Sequence, residues 1–241
     1  MTENLEALAR ALPRIMEGMG ITLTLTLGGA ALALVVAIVL GLMARARRIL
    51  IRGIARFVIE FFRGTSLVVQ LFFLFFVLPL LGVELSPVLV GILGLGLNYG
   101  AYGAEVVRGS LNSVPRGQWE ATVALSMPPV HRMRRVIFPQ AWALMLPSLD
   151  NLLILLLKGT AIVSFITMFD LTASLDKLRI DTDVFFAYSL GLILYFIIAY
   201  VLHLGMSALE IRAKHRLGQG GSMRSALAAP APDSKGAGQL G

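Results

Sequence analysis

The chain has no cysteine in its 241 residues, which excludes disulfides, iron–sulfur clusters and thiolate-held metals. Charge is scarce: Asp, Glu, Lys and Arg make up 15% of the residues, where soluble domains carry roughly 25%. The three histidines, His131, His203 and His215, stand apart in sequence and offer no metal-ligand or proton-relay spacing. No G-x-x-x-x-G-K-[ST] segment occurs, so nothing in the chain cradles ATP phosphates by the usual loop. No clustered acid and base marks a membrane enzyme. No cofactor is expected. The first nineteen residues lack the basic start, apolar run and small-residue cleavage site of a secretory signal. They hold Glu3, Glu6, Arg10, Arg14 and Glu17, and residues 1–20 read as a short amphipathic segment lying at an interface.

What is abundant is apolar surface. Hydrophobic residues make up 57% of the chain, against roughly 45–50% in soluble domains, so much of that surface has to face lipid. Helices of about 20 apolar residues are the economical way across a bilayer. Five candidate spans are predicted, at 21–43, 57–81, 87–107, 149–168 and 184–209. The expected fold is an all-α integral membrane protein over residues 21–216. Residues 217–241, rich in Gly, Ala, Ser and Pro, read as a disordered tail.

The charges orient the spans. Arg45, Arg47, Arg48, Arg52 and Arg56 lie between the first two spans, and Arg108, Arg116, Arg132, Arg134 and Arg135 between the third and fourth. Arg212, Lys214, Arg216, Arg224 and Lys235 follow the fifth. Only Arg10, Arg14, Lys177 and Arg179 fall on the other side, fifteen against four. The positive-inside rule then predicts an outer N-terminus and a cytoplasmic C-terminus. Basic residues scattered among juxtamembrane loops form no surface for a duplex, so no nucleic-acid partner is expected.

The loop at about 109–148 is long, charged and punctuated by proline. A short helix is predicted over 118–127, with Trp119, Val123 and Met127 on one stripe and Glu120 and Thr122 off it. Pro128 and Pro129 end it, a second helix resumes over 131–140, and Pro139 and Pro147 bend the chain back into the membrane. One reading is an elbow resting on lipid headgroups through Arg132, Arg134 and Arg135. The other is a docking surface for a soluble partner.

Glu120-Ala121-Thr122, then three residues, Ser126, nine residues and Val136-Ile137-Phe138-Pro139 resemble the EAA loop of ABC importer permeases. The segments from Glu60 (EFFRGTSLVVQLFFLFFVLP), Asn98 (NYGAYGAEVVRGSLNSVPRGQWEA) and Asn151 (NLLILLLKGTAIVSFI) resemble the polar amino-acid subfamily. The resemblance covers roughly residues 21–209. It departs at Ser66 (usually Pro), Ser126 (usually Gly), Gly159 (usually Asp) and Ala161 (usually Ser). Loss of that Asp puts the ordinary amino-acid ligand in question, and Ser126 is expected to alter the tilt of the elbow helix.

The resemblance implies a bacterial inner-membrane permease of an ATP-driven importer for polar amino acids or related compounds such as opines. Its implied partners are an ABC ATPase subunit, a second permease (identical or homologous), a periplasmic or lipid-anchored substrate-binding protein, and membrane lipid. It assigns contact with the ATPase to Trp119, Glu120, Ala121, Val123, Ser126, Met127 and Pro139. A permease for another solute, or a membrane scaffold that recruits a cytoplasmic protein, are the alternatives.

Polar residues within spans are costly and point to function. Arg63, Thr65 and Gln70 in the second span, Asn98 in the third, and Lys158, Thr160 and Ser164 in the fourth are candidates for a substrate path. Lys158 would receive a substrate carboxylate. In the rival reading it ties helices together through Asn98 or a carbonyl, the Thr and Ser hydroxyls bond their own helix, and Arg63 snorkels to the inner surface. Glu105 and Arg108, one turn apart, read as an ion pair. Gly28, Gly29, Gly91, Gly94, Gly96 and Gly100 predict close helix approach.

Overall fold

The apolar runs answer the bilayer's demand for internal hydrogen bonds with helices. A computed structural model of the chain describes residues 2–218, in which there are nine α-helices and no strand. Residues 219–241, most of the expected tail, lie outside the described residues.

Helix α1 runs from Thr2 to Met43 without interruption, so the first twenty residues do not form a separate surface helix. Their apolar stripe is real. Leu8, Ala11, Ile15 and Met19 pack, however, on Leu171, Leu175 and Leu178 of a later helix rather than lying on headgroups. That helix is α8 (Leu171–Asp181), whose N-cap Asp170 accepts from the Ala173 amide at 3.0 Å. Burial pushes the Asp170 carboxyl above its ordinary range, while that amide bond pulls the other way.

The second span departs most from expectation. It is two helices, α2 (Ile49–Gly64) and the segment Leu67–Leu81 that begins with α3 (Leu67–Phe72), bent by 101°. Gly64 ends the first, and Thr65 and Ser66 are extended. Ser66 has φ −69°, the angle that the subfamily's usual proline would fix. Helix α2 buries Ala55 and Ile59 and exposes Leu50, Ile54, Phe57 and Phe61.

The third span is α4 (Pro87–Ser113), opened by Ser86, whose hydroxyl accepts from the Leu89 amide. It is the centre of the bundle. A methyl group added at Gly96 would lie 2.6 Å from Leu32 of α1, one at Gly100 2.7 Å from Val36 Cβ, and one at Gly103 2.7 Å from Ala37 Cβ. Gly28, Gly91 and Gly94 meet neighbouring helices just as closely. Lipid tails supply no hydrophobic drive between helices, so this close approach and its dispersion contacts hold α1 on α4.

After α4 come α5 (Arg116–Ala124) and α6 (Pro129–Arg132). Helix α6 runs through a π turn (Met133–Ile137) into α7 (Phe138–Gly159) and a 3-10 segment (Thr160–Ile166). The fourth span is therefore one helix of 38 residues from Pro129, not a helix starting near 149 after a bent return. The widened turn sits just before Pro139, where a regular helix would need the amide that proline lacks. Helix α9 (Val184–Arg216) completes the bundle from the N-cap Asp183. The four long helices and the bent pair give up to five spans.

Replacing Gly100 by Val should push α1 off α4 and cost about 3 kcal/mol. Gly53→Ala, on α2 with nothing within 4 Å of the added carbon, should be neutral or stabilise by up to ~1 kcal/mol. Thermal unfolding of the detergent-solubilised chain measures both. Equal midpoints would show that the α1–α4 contact is not the tight one.

Candidate functional site

Two groups of residues were expected to carry function, and the structure arranges each differently from the stripe and span patterns. The first is the elbow. Helix α5 is shorter than predicted, ending at Ala124, and Ser126 has φ +53°, in the left-handed region. The Ser126 amide donates to the Val123 carbonyl at 2.8 Å and the Met127 amide to the Thr122 carbonyl at 3.0 Å. This is the double bond of a Schellman end, which favours glycine because a Cβ is strained there. The family's glycine at this position thus has a local cause. Ser126 closes the helix rather than tilting its interior.

The predicted stripe is split. Trp119 turns inward against a cluster built on Val107, Leu111, Val114 and Ile137. Thr122, expected to face away, is 3% exposed, and its hydroxyl donates to the Trp119 carbonyl at 2.7 Å. A threonine is accommodated where the family has alanine because its own helix takes the hydroxyl bond. Val123, Leu125 and Val130 are open, at 57%, 75% and 79% exposure, and Glu120 and Ala121 stand beside them. Met127 and Pro139 are half-buried. Gln140 donates to both Gln118 and the Val136 carbonyl, and Arg132 donates to the Met127 carbonyl, so the elbow is fastened to the start of the fourth span. Above it, the Arg45 guanidinium lies 5.3 Å from the centre of the Trp119 ring, a contact that no local sequence spacing announces.

The second group lies along the spans. Gln70 and Asn98 meet at the break between α2 and α3. Both carboxamides donate to the Phe62 carbonyl, at 3.0 and 2.9 Å, and Asn98 also donates to Gln70 Oε1 at 3.2 Å. Gln70 donates to the Thr65 hydroxyl at 2.6 Å, and Thr65 donates to the Phe61 carbonyl. Arg63 pairs with Glu60 at 3.4 Å, and its guanidinium stands 5.4 Å over the Tyr102 ring. Glu105 and Arg108 form the expected pair at 2.5 Å.

Lys158 is separate from all of these. Its side chain is exposed, and among the described residues it has neither a hydrogen bond nor an ion pair. Asn98, the partner considered for it, is committed to Phe62 and Gln70. Ser148, Asn151, Leu155 and Lys158 are all exposed along one side of α7, at helical spacing. Thr160 and Ser164 bond the carbonyls of Leu157 and Ala161, within their own helix.

A methyl group at Gly159 would lie 2.7 Å from the Tyr99 hydroxyl, which donates to the Leu155 carbonyl at 2.9 Å. Tyr99 therefore fills the space that an aspartate side chain would enter. Tyr99 also lines an apolar cavity of about 200 Å³ between α1, α4, α7 and α9, which offers no charged group.

A second unforeseen pair joins two of the long helices. His203 Nδ1 lies 2.5 Å from Asp150 Oδ2 between α9 and α7. An acid just inside an expected span was the available signal, and the 53-residue separation hid its partner.

Residues 37–215 match the family model described as the binding-protein-dependent transport system inner membrane component. A probable amino-acid ABC transporter permease of Sinorhizobium fredii is 46% identical over 66% of this chain and 70% of its own length. A probable amino-acid ABC transporter permease of Bacillus subtilis is 31% identical over 88% and 94%. A putative glutamine transport system permease of Rickettsia typhi is 34% identical over 78% and 87%. The crystal structure of an amino acid ABC transporter with histidines superposes with a TM-score of 0.77 at 32% identity, covering 85% of this chain and 96% of that one. An inward-facing methionine ABC transporter shares the fold, with a TM-score of 0.70 at 18% identity over 83% and 96%.

Ser126→Gly should relieve the strained helix end by roughly 1 kcal/mol. Amide exchange across residues 116–127 should slow in the variant. Unchanged or faster exchange would mean that the end is not held as described.

Proposed function

The chain belongs to the family of binding-protein-dependent transport system inner membrane components, and from that premise we propose how its elbow and its fourth span carry solute. It is a membrane-spanning permease subunit of an ABC importer of the amino-acid type, not an enzyme, and ATP hydrolysis belongs to a separate subunit. Its cargo is a polar amino acid or a related compound, delivered by a binding protein from outside. The N-terminus is outside and the elbow and C-terminus are cytoplasmic, as the basic residues demand.

The observation that carries this reading is the bare face of the elbow. Val123, Leu125 and Val130 expose apolar surface beside Glu120, on a loop where the positive-inside rule places water and soluble partners. That combination suits the groove of an ATPase subunit better than headgroups, because Glu120 would meet the negative surface of the inner leaflet. Trp119, Thr122 and Met127 hold the face in place from behind. Movement of the ATPase then passes through Gln118–Gln140 and Arg132–Met127 into a single helix. From Val130 to Lys158 that helix extends about 42 Å at 1.5 Å per residue.

At its far part, Ser148, Asn151 and Lys158 form the polar side of the solute path. Lys158, without a partner among the described residues, is the cation for a substrate carboxylate. A second permease, identical or homologous, supplies the opposite wall. Gln70, Asn98 and Thr65 act on the path indirectly, by holding the α2–α3 break. Rigid-body alternation between inward and outward states completes the cycle.

Cells carrying the native operon with Glu120→Arg should keep the protein in the membrane and lose uptake of one amino-acid group at least tenfold. Labelled basic, acidic and amide amino acids form the panel, with a sugar and an inorganic anion as controls. Normal uptake of the transported solute in that strain would remove the coupling role. Lys158→Met should assemble normally and raise the KM for the transported amino acid by about tenfold or more. An unchanged KM would leave the carboxylate without its receptor.

A further inference from the structure

We infer that Arg45 is a positioning residue through which the elbow grips the α1–α2 corner as well as the fourth span. The inference rests on the coupling role proposed for the elbow. Arg45 stands two residues beyond the end of α1, in a corner tied down by the bonds of the Ala44, Arg45 and Ala46 amides to Leu40, Leu42 and Met43 carbonyls. Its guanidinium faces Trp119 of α5. Its Nη1 is buried and has no acceptor among the described residues. A guanidinium carries five donors, and leaving one buried and unbonded is costly. The indole face, the strongest of the aromatic surfaces for a cation, is what offsets that cost. Burial also lowers the Arg45 pKa, though arginine keeps its charge.

The corner is not a loose loop. Ala44 is buried with Ala55 and Ile59 of α2 and Ala104 of α4. Helix α2 leads directly to the break at Gly64, where Gln70 and Asn98 hold the Phe62 carbonyl. Besides its direct continuation from α4, α5 thus has two further routes along which a displacement is transmitted. One runs through Gln140 and Arg132 into α7. The other runs through Trp119 and Arg45 into α2 and the bent span. The two lines of polar residues, on α7 and at the α2–α3 break, then move together instead of one sliding past the other. A merely structural Arg45 would stabilise the corner without changing how the spans move.

This chain lacks cysteine, so spin labels on it go only where cysteines are introduced, and the partner subunits would be prepared cysteine-free. Gly53 on α2 and Gly109 on α4 have open space around them, and Leu144 on α7 is exposed. In the full complex in lipid nanodiscs, the Gly109–Gly53 and Gly109–Leu144 distances would be measured before and after trapping with ATP and vanadate. Both should shift in the parent complex. In Arg45→Gln the α7 distance should still shift, while the shifted α2 population falls about fivefold or more. Trp119→Phe, which keeps an aromatic face, should retain both shifts, and Trp119→Leu should behave as Arg45→Gln does. If Arg45→Gln fails to assemble, Trp119→Leu carries the test. Equal shifts of both distances in Arg45→Gln and Trp119→Leu would overturn the inference while leaving the elbow's role intact. No shift of either distance in the parent complex would overturn the elbow's role and this inference with it.

Discussion

A backbone amide or carbonyl inside a bilayer has no water to turn to, and the rest of this structure depends on how that debt is met wherever a helix falters. Most of the chain meets it by remaining helical. The second span does not, because Thr65 and Ser66 leave the helix after Gly64. The Phe62 carbonyl is claimed there by two carboxamides, one from the same bent span and one from α4. Gln70 and Asn98 are thus tied to a main-chain defect, which is why they sit at a depth where polar side chains are otherwise expensive. At Pro139 one turn widens instead, and the Gln140 side chain takes the Val136 carbonyl within it.

The sequence carried the architecture well where a single periodic pattern ran uninterrupted. The third and fifth spans appear almost as the apolar runs place them, because nothing in them interrupts a regular helix. The small residues of α4 were legible as a contact surface, since glycine in an apolar helix has few other uses. The bend of the second span was not. Hydropathy averages across Gly64–Ser66 and sees only an apolar run. The fourth span was misjudged for the opposite reason: prolines suggest breaks, and a π turn that absorbs one leaves no compositional trace.

At the candidate site, the elbow's position and helical character were legible, because spacing and proline punctuation survive in one dimension. Its inward face was not. Trp119, Val123 and Met127 share a helical stripe, but α5 is so short that its neighbours decide which residues turn inward. Thr122 won the buried place because its hydroxyl bonds within its own helix. The same local bonding accounts for Thr160 and Ser164, whereas Lys158 has no such outlet and stands out once the others are explained. Asp150 with His203, and Arg45 with Trp119, are contacts between distant parts of the chain, beyond the reach of any spacing argument.

The fourth span is the longest uninterrupted path from the elbow toward Lys158. From Pro129 to Ile166 it is a single helix, with the fastening to the elbow at one end and Lys158 toward the other. Its irregular points are the π turn at Met133–Ile137 and Pro147, both between the elbow and Lys158. Helices bend most readily at a π turn or a proline, so a push from the elbow would reach Lys158 through two compliant points. A third lies beyond it, in the 3-10 segment Thr160–Ile166. Those are the places where the stiffness of the span could be tuned one residue at a time.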